Sequence, residues 1–131
     1  MSIYQDKLKQ VKAAIYSNQP QIDAIIAVRS YIDLHYATEL NLEQLSQAQG
    51  ISKYHLLRLY KRYYGLTPRQ YLIQKRMQQA KEHLKAGMTV TETCYAVGFE
   101  SLGSFSSSFK RKIGKTPRQY QKEQLSRSSV R

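Results

Sequence analysis

Tyr54, Leu57, Arg58 and Lys61 follow the i, i+3, i+4, i+7 spacing that lines up four side chains along one stripe of a helix. Those residue types suit the major groove of duplex DNA. Arg58 can give a bidentate hydrogen-bonded pair to guanine, worth roughly 1–3 kcal/mol of base discrimination, and Tyr54 and Leu57 can meet thymine methyls and sugar edges. Lys53, Lys61 and Arg62 suit phosphate contacts, which give affinity without sequence information. A single basic helix face would be only a solvated surface, so the reading rests on whether the pattern recurs.

It does recur. Residues 52–71 read SKYHLLRLYKRYYGLTPRQY and residues 101–120 read SLGSFSSSFKRKIGKTPRQY, identical at nine of twenty positions at an offset of 49 without a gap. The identities are Ser52/Ser101, Lys61/Lys110, Arg62/Arg111, Gly65/Gly114 and the whole of Thr67–Tyr71 against Thr116–Tyr120. Two copies exclude a solenoid and point to a duplicated supersecondary unit. The second stripe is Gly103, Ser106, Ser107 and Lys110, with Leu102 and Ser104 adjoining and no arginine matching Arg58. The units are therefore expected to be unequal, the first reading bases and the second docking mainly on backbone and groove shape. Phosphate-type residues persist there as Lys110, Arg111, Lys112, Lys115 and Arg118, and Arg69 is the counterpart of Arg118.

The elements that must carry these stripes read as helices throughout, an all-α chain. Asn41-Leu42-Glu43-Gln44 and Thr89-Val90-Thr91-Glu92 are capping-box starts of two short helices, stopped by Gly50 and Gly98. Ser52 and Ser101 then cap the stripe-bearing helices. Leu56, Leu59, Tyr60 and Tyr63 are the expected buried stripe of the first, and Phe105, Phe109 and Ile113 the core of the second. A short helix, a glycine turn and a second helix make a helix-turn-helix, here twice. Each Thr-Pro-Arg-Gln-Tyr starts a further helix, with Thr as cap, Pro at the first position and Gln closing the box. The first of these is predicted over 68–86 as a long linker, about 28 Å at 1.5 Å rise, against about 34 Å between major-groove segments on one face of DNA. The last is predicted over 117–125. Ahead of the repeat, helices are predicted over 3–17 and 21–36, broken at Asn18-Gln19-Pro20. The expected domains are a helical extension (1–20), a first helix-turn-helix subdomain with the linker helix (21–87), a second helix-turn-helix subdomain (88–125) and a polar frayed tail (126–131).

Composition narrows the function. The chain of 131 residues carries 21 Lys+Arg against 9 Asp+Glu, a formal charge of +12. Residues 1–49 are near neutral, and the excess lies in two acid-free stretches, Ile51–Gln79 and Phe109–Lys122, so a polyanion is the expected partner. The longest apolar run, Ala24–Val28, is far too short to span a membrane. Both basic faces have their apolar side committed to a core, which argues against a membrane surface. A lone cysteine, Cys94, excludes an intramolecular disulfide and a Cys-based zinc site. His35, His55 and His83 are far apart and no cluster has ligand spacing, so no metal, no cofactor and no enzyme activity are expected. The absence of paired cysteines and of a signal pattern points to the cytoplasm.

The stretch from about Ile22 to Gln124 resembles the DNA-binding domain of AraC/XylS-type bacterial transcription regulators. The matching residues are Leu42, Leu45, Gly50-Ile51-Ser52, Leu56, Tyr60-Lys61, Gly65, Pro68 and Tyr71, then Ala96, Gly98-Phe99-Glu100-Ser101, Phe105, Phe109-Lys110, Gly114, Thr116-Pro117 and Tyr120. The resemblance implies about seven helices forming two helix-turn-helix units joined by a long linker helix, here with an extra N-terminal helix. It implies promoter binding in the bacterial nucleoid and, as a rule, activation through RNA polymerase. By motif position, groove reading falls on Tyr54, Leu57 and Arg58 and on Leu102, Gly103, Ser104, Ser106 and Ser107. The second set departs from members with long polar or basic side chains there. About twenty residues precede the matching core, as in short stand-alone members that bind as monomers, so a monomer is expected rather than a dimer. The alternatives are a protein-interaction adaptor and a non-specific DNA-binding protein that retain the fold.

Overall fold

A computed structural model describes residues 3–129. Among them lie seven helices: α1 (Ile3–His35), α2 (Leu42–Ala48), α3 (Lys53–Tyr64), α4 (Pro68–Lys85), α5 (Val90–Ala96), α6 (Leu102–Ile113) and α7 (Pro117–Ser129). The chain forms two compact units. One takes α1 as far as Tyr31 together with Asn41–Pro68; the other takes Ile32–Leu40 together with the chain from Arg69 onward.

The local signals act as sequence chemistry requires. The side chains of Asn41, Ser52, Thr89 and Ser101 each accept a hydrogen bond from the backbone N–H three residues on, at the starts of α2, α3, α5 and α6. Such a cap satisfies one orphan amide and contributes about 1 kcal/mol. At α7 the box is reciprocal: Gln119 N–H donates to Thr116 Oγ1 at 3.1 Å, and Thr116 N–H donates to Gln119 Oε1 at 3.0 Å. The two helix-turn-helix turns are built alike. Gly50 N–H donates to Gln47 O and Ile51 N–H to Ser46 O; Gly98 N–H donates to Tyr95 O and Phe99 N–H to Cys94 O. This crossed pair is the Schellman closure, and it needs a left-handed residue, supplied by Gly50 at φ +71° and Gly98 at φ +99°.

In the first unit, Ala24, Ile25 and Val28 of α1 and Leu56 and Tyr60 of α3 are buried. Tyr64 lies 4.7 Å from Tyr60 ring to ring, and the Arg29 guanidinium sits 4.7 Å over it. This changes the expected stripe. Tyr63 is 51% exposed, and Tyr64 is the inward tyrosine because Arg29 of α1 covers that end of α3.

The second unit is built on Met77, Ala80 and Leu84 of α4, Cys94 and Val97, Phe105 and Phe109 of α6, and Tyr120 of α7. Phe109 meets Phe105 and Tyr120 with ring centroids 5.9 and 5.6 Å apart. Buried Arg76 ties the 36–40 segment to this core: Nε donates to Tyr36 O at 2.7 Å, Nη2 donates to Thr38 O at 2.9 Å, and the guanidinium stands 5.6 Å from the Phe99 ring. Burial, then the charge of Arg69, pulls the Arg76 pKa below the ordinary arginine value. Gly98 lets this segment approach, since a Cβ there would lie 2.8 Å from Ala37 O. Gln121 Nε2 donates to Leu84 O and Met88 O at 3.1 and 2.6 Å, which fixes α7 against the end of α4.

Two boundaries differ from expectation. The break at Asn18–Pro20 does not occur, and α1 runs through Pro20. A proline inside a helix costs about 3 kcal/mol through one lost hydrogen bond and a clash. Burial of Ala24, Ile25, Val28 and Ile32 immediately downstream offsets a cost of that size. The last helix also extends past Leu125 to Ser129, with no Gly or Pro to stop it. Val130 and Arg131 lie outside the described residues.

Candidate nucleic-acid interface

Burial of Leu56 and Tyr60 turns the opposite side of α3 to solvent. Tyr54 is 77% exposed there, Arg58, Lys61 and Arg62 are exposed, and Leu57 is half-buried beside them. A tyrosine this exposed contributes little to a core and offers a flat amphipathic face to a partner. Arg58 takes part in no ion pair among the described residues. Lys53 is half-buried with its Nζ 3.9 Å from Glu43 Oε1, so part of its charge is already met within the unit.

Burial of Phe105 and Phe109 likewise exposes the opposite side of α6. Gly103, Ser107 and Lys110 are exposed, Leu102 is 40% exposed, and Ser106 is half-buried. Gly103 has normal helical φ and nothing within 4 Å of where its Cβ would be. It is not a packing glycine; it leaves a bare strip of helix on the exposed side. Ser104 is exposed but off the Gly103–Ser107–Lys110 line: with Ser101, Tyr95, Phe99, Arg69 and Arg76 it borders a cleft of about 640 Å³. Its N–H is spent on the Ser101 cap at 3.2 Å.

Among the phosphate-type residues, Arg69, Lys110, Arg111 and Arg118 are exposed. Lys115 is ion-paired with Glu123. Two cations of the acid-free stretch Ile51–Gln79 serve structure instead. Arg76 is buried on carbonyls, and Lys75 Nζ lies 3.8 Å from Asp33, whose carboxylate also accepts from the Tyr71 hydroxyl. Asp33 is more than forty residues before Lys75 in sequence, so the pairing has no local signal. Cys94 is buried and its thiol pKa is pushed up by that burial, as for a small core residue rather than a nucleophile. Among the described residues no group of His, Cys, Asp and Glu could hold a metal ion, and no helix is long and apolar enough to cross a membrane.

Two helix-turn-helix units, each with an exposed basic helix face free of acidic residues, define a DNA-binding class of protein. Comparison with known proteins agrees. A family described as a helix-turn-helix domain matches residues 45–123. The uncharacterised HTH-type transcriptional regulator YbfI of Bacillus subtilis is 37% identical over 77 residues, covering 59% of this chain and 28% of that protein. A transcriptional regulator with an AraC-type DNA-binding domain from Chromobacterium violaceum superimposes with a TM-score of 0.63 at 25% identity, covering 82% of this chain and 94% of the other. The DNA-binding domain of the global transcriptional factor AdpA, solved in complex with a target DNA, gives a TM-score of 0.73 at 25% identity over 79% of this chain and 94% of that one. The chain belongs to the AraC-type helix-turn-helix family. That family and these relatives are DNA-binding regulators, not enzymes. The chain spans 28% to 55% of the length of the first curated relatives it matches.

Proposed function

We propose that this protein is a sequence-specific, double-stranded-DNA-binding transcription regulator that works as an activator on promoters, with RNA polymerase as its further partner. It enters successive major-groove segments with α3 and α6. Arg58, with Tyr54 and Leu57, reads bases strongly. Leu102, Gly103, Ser104, Ser106 and Ser107 read weakly and let α6 dock on groove shape. Lys61, Arg62, Arg69, Lys110, Arg111 and Arg118 hold phosphates, with Lys53 and Lys115 contributing less because each has a carboxylate partner. The site is asymmetric and is met by one monomer, in the cytoplasm.

The observation that carries this reading is the duplication itself. Two twelve-residue helices, both serine-capped and both closed by a left-handed glycine, lack any Asp or Glu and turn a cationic side to solvent. A regulator of this kind binds its own site on the order of 10³-fold or more tighter than random duplex. Competition between a selected site and random DNA at fixed salt tests that gap; equal binding would leave a non-specific DNA coat or a protein adaptor.

A further inference from the structure

A second cleft of the Arg69-onward unit, about 300 Å³, is lined by Arg69, Gln70, Ile73, Ser108, Arg111 and Lys112. It brings the first turn of α4 against the flank of α6, residues roughly forty apart in sequence. Three of its six lining residues are cations and none is acidic. Among the described residues, none of Arg69, Arg111 and Lys112 is ion-paired with a carboxylate, whereas nearby Lys115 is. The charge is felt in the interior too, where Arg69 adds to the lowering of the Arg76 pKa.

Three exposed cations around one notch repel one another weakly in water, and an anion seated among them would remove that repulsion. Arg69 adds to this, because it stands in the first turn of α4, where the macrodipole disfavours a cation. Ile73 is the apolar residue of the lining. A tetrahedral oxyanion with several acceptor oxygens matches two guanidinium forks and an ammonium.

We propose that this cleft seats a single backbone phosphate of the bound duplex, with Arg69, Arg111 and Lys112 converging on it. Lys112, a phosphate-type residue by sequence, thereby shares one phosphate with Arg69 and Arg111, which act on that phosphate rather than on separate ones. The seat includes Ser108 on the flank of α6, so it fixes the register of a helix whose own side chains read bases weakly. The proposal rests on the DNA-binding reading above.

The test uses the full chain and the duplex it selects from a random pool. Replacing Arg69, Arg111 and Lys112 together by Ala should flatten the log K against log salt slope by about 0.9, one phosphate's worth, an affinity loss of about eightfold at 0.1 M salt. Each single Ala should cost less, and the losses should be less than additive. Phosphates of the site are then replaced one at a time by neutral methylphosphonate. One position should weaken wild-type binding yet leave the triple variant unaffected. All three side chains are exposed, and unchanged helical circular dichroism checks the fold. The seat is overturned if the triple variant keeps the full slope or if no single methylphosphonate cancels its defect. If instead the wild-type chain selects no duplex at all, the DNA-binding reading has failed, a distinguishable result.

Discussion

Helix α3 and helix α6 have the same length, the same serine cap and the same glycine stop, yet they present unlike surfaces. Positions that the two share are mostly those that start, stop and turn helices: Ser52 and Ser101, Gly65 and Gly114, and the two Thr-Pro-Arg-Gln-Tyr runs. Among the positions that differ, three are exposed in both copies: Tyr54/Gly103, Arg58/Ser107 and Tyr63/Lys112. Arg58 faces solvent in one copy where Ser107 does in the other, and Tyr54 corresponds to bare Gly103. The two copies thus share the residues that start and stop the helices and three phosphate-type pairs, Lys61/Lys110, Arg62/Arg111 and Arg69/Arg118, while the residues proposed to face bases differ.

The two turns diverge in a way that gives the largest expected effect. Gly50 and Gly98 share a left-handed φ, but only Gly98 is pressed against backbone. Gly50→Ala should cost about 1–2 kcal/mol of stability, the left-handed penalty alone. Gly98→Ala should cost about 3 kcal/mol or more, because Ala37 backbone must also move. Urea unfolding of the two variants checks this, and equal losses would mean that the approach of the 36–40 segment is unimportant.

Base reading comes next. Arg58→Ala should lose about 1–3 kcal/mol of discrimination at one or two base pairs, seen as flattened positions in the selected sequence logo. Ser107→Ala should change the logo less; a larger change there would reverse the proposed division between strong and weak readers.

Charge gives a smaller contrast. Lys61→Ala should weaken every sequence alike and lower the salt slope by about one. Lys115→Ala should lower it less, since Glu123 already shares that charge. Salt titrations of both on one duplex measure the difference.

The smallest effect concerns Gly103. With open space at its Cβ and ordinary helical φ, Gly103→Ala should raise stability by about 0.5–1 kcal/mol. Thermal unfolding would detect it as a rise in Tm of a few degrees.

Local chemistry was legible in the sequence, and long-range chemistry was not. Caps and glycine stops act over five residues or fewer, so Asn41, Ser52, Thr89, Ser101 and Thr116 could be placed by pattern alone. The Pro20 break failed because a local cost met burial that the local pattern does not weigh. Tyr63 and Tyr64 exchanged roles because Arg29, on a distant segment, chose between them. Lys75 and Arg76 looked like part of the basic surface until Asp33, Tyr36 and Thr38 claimed them. The exposed residues of α3 and most of those of α6 were legible from helical periodicity. Ser104 lying off the α6 line, and the cleft that gathers Arg69, Arg111 and Lys112, depend on how α4 packs beside α6, which no spacing in the chain reveals.

Selection of bound sequences from a random duplex pool tests the central claim of unequal readers most directly. The expected result is one non-palindromic site with two segments about one helical turn apart, one of sharp base preference that Arg58→Ala flattens and one of weak preference. Two equally sharp segments, a palindrome, or no enrichment over the starting pool would contradict it.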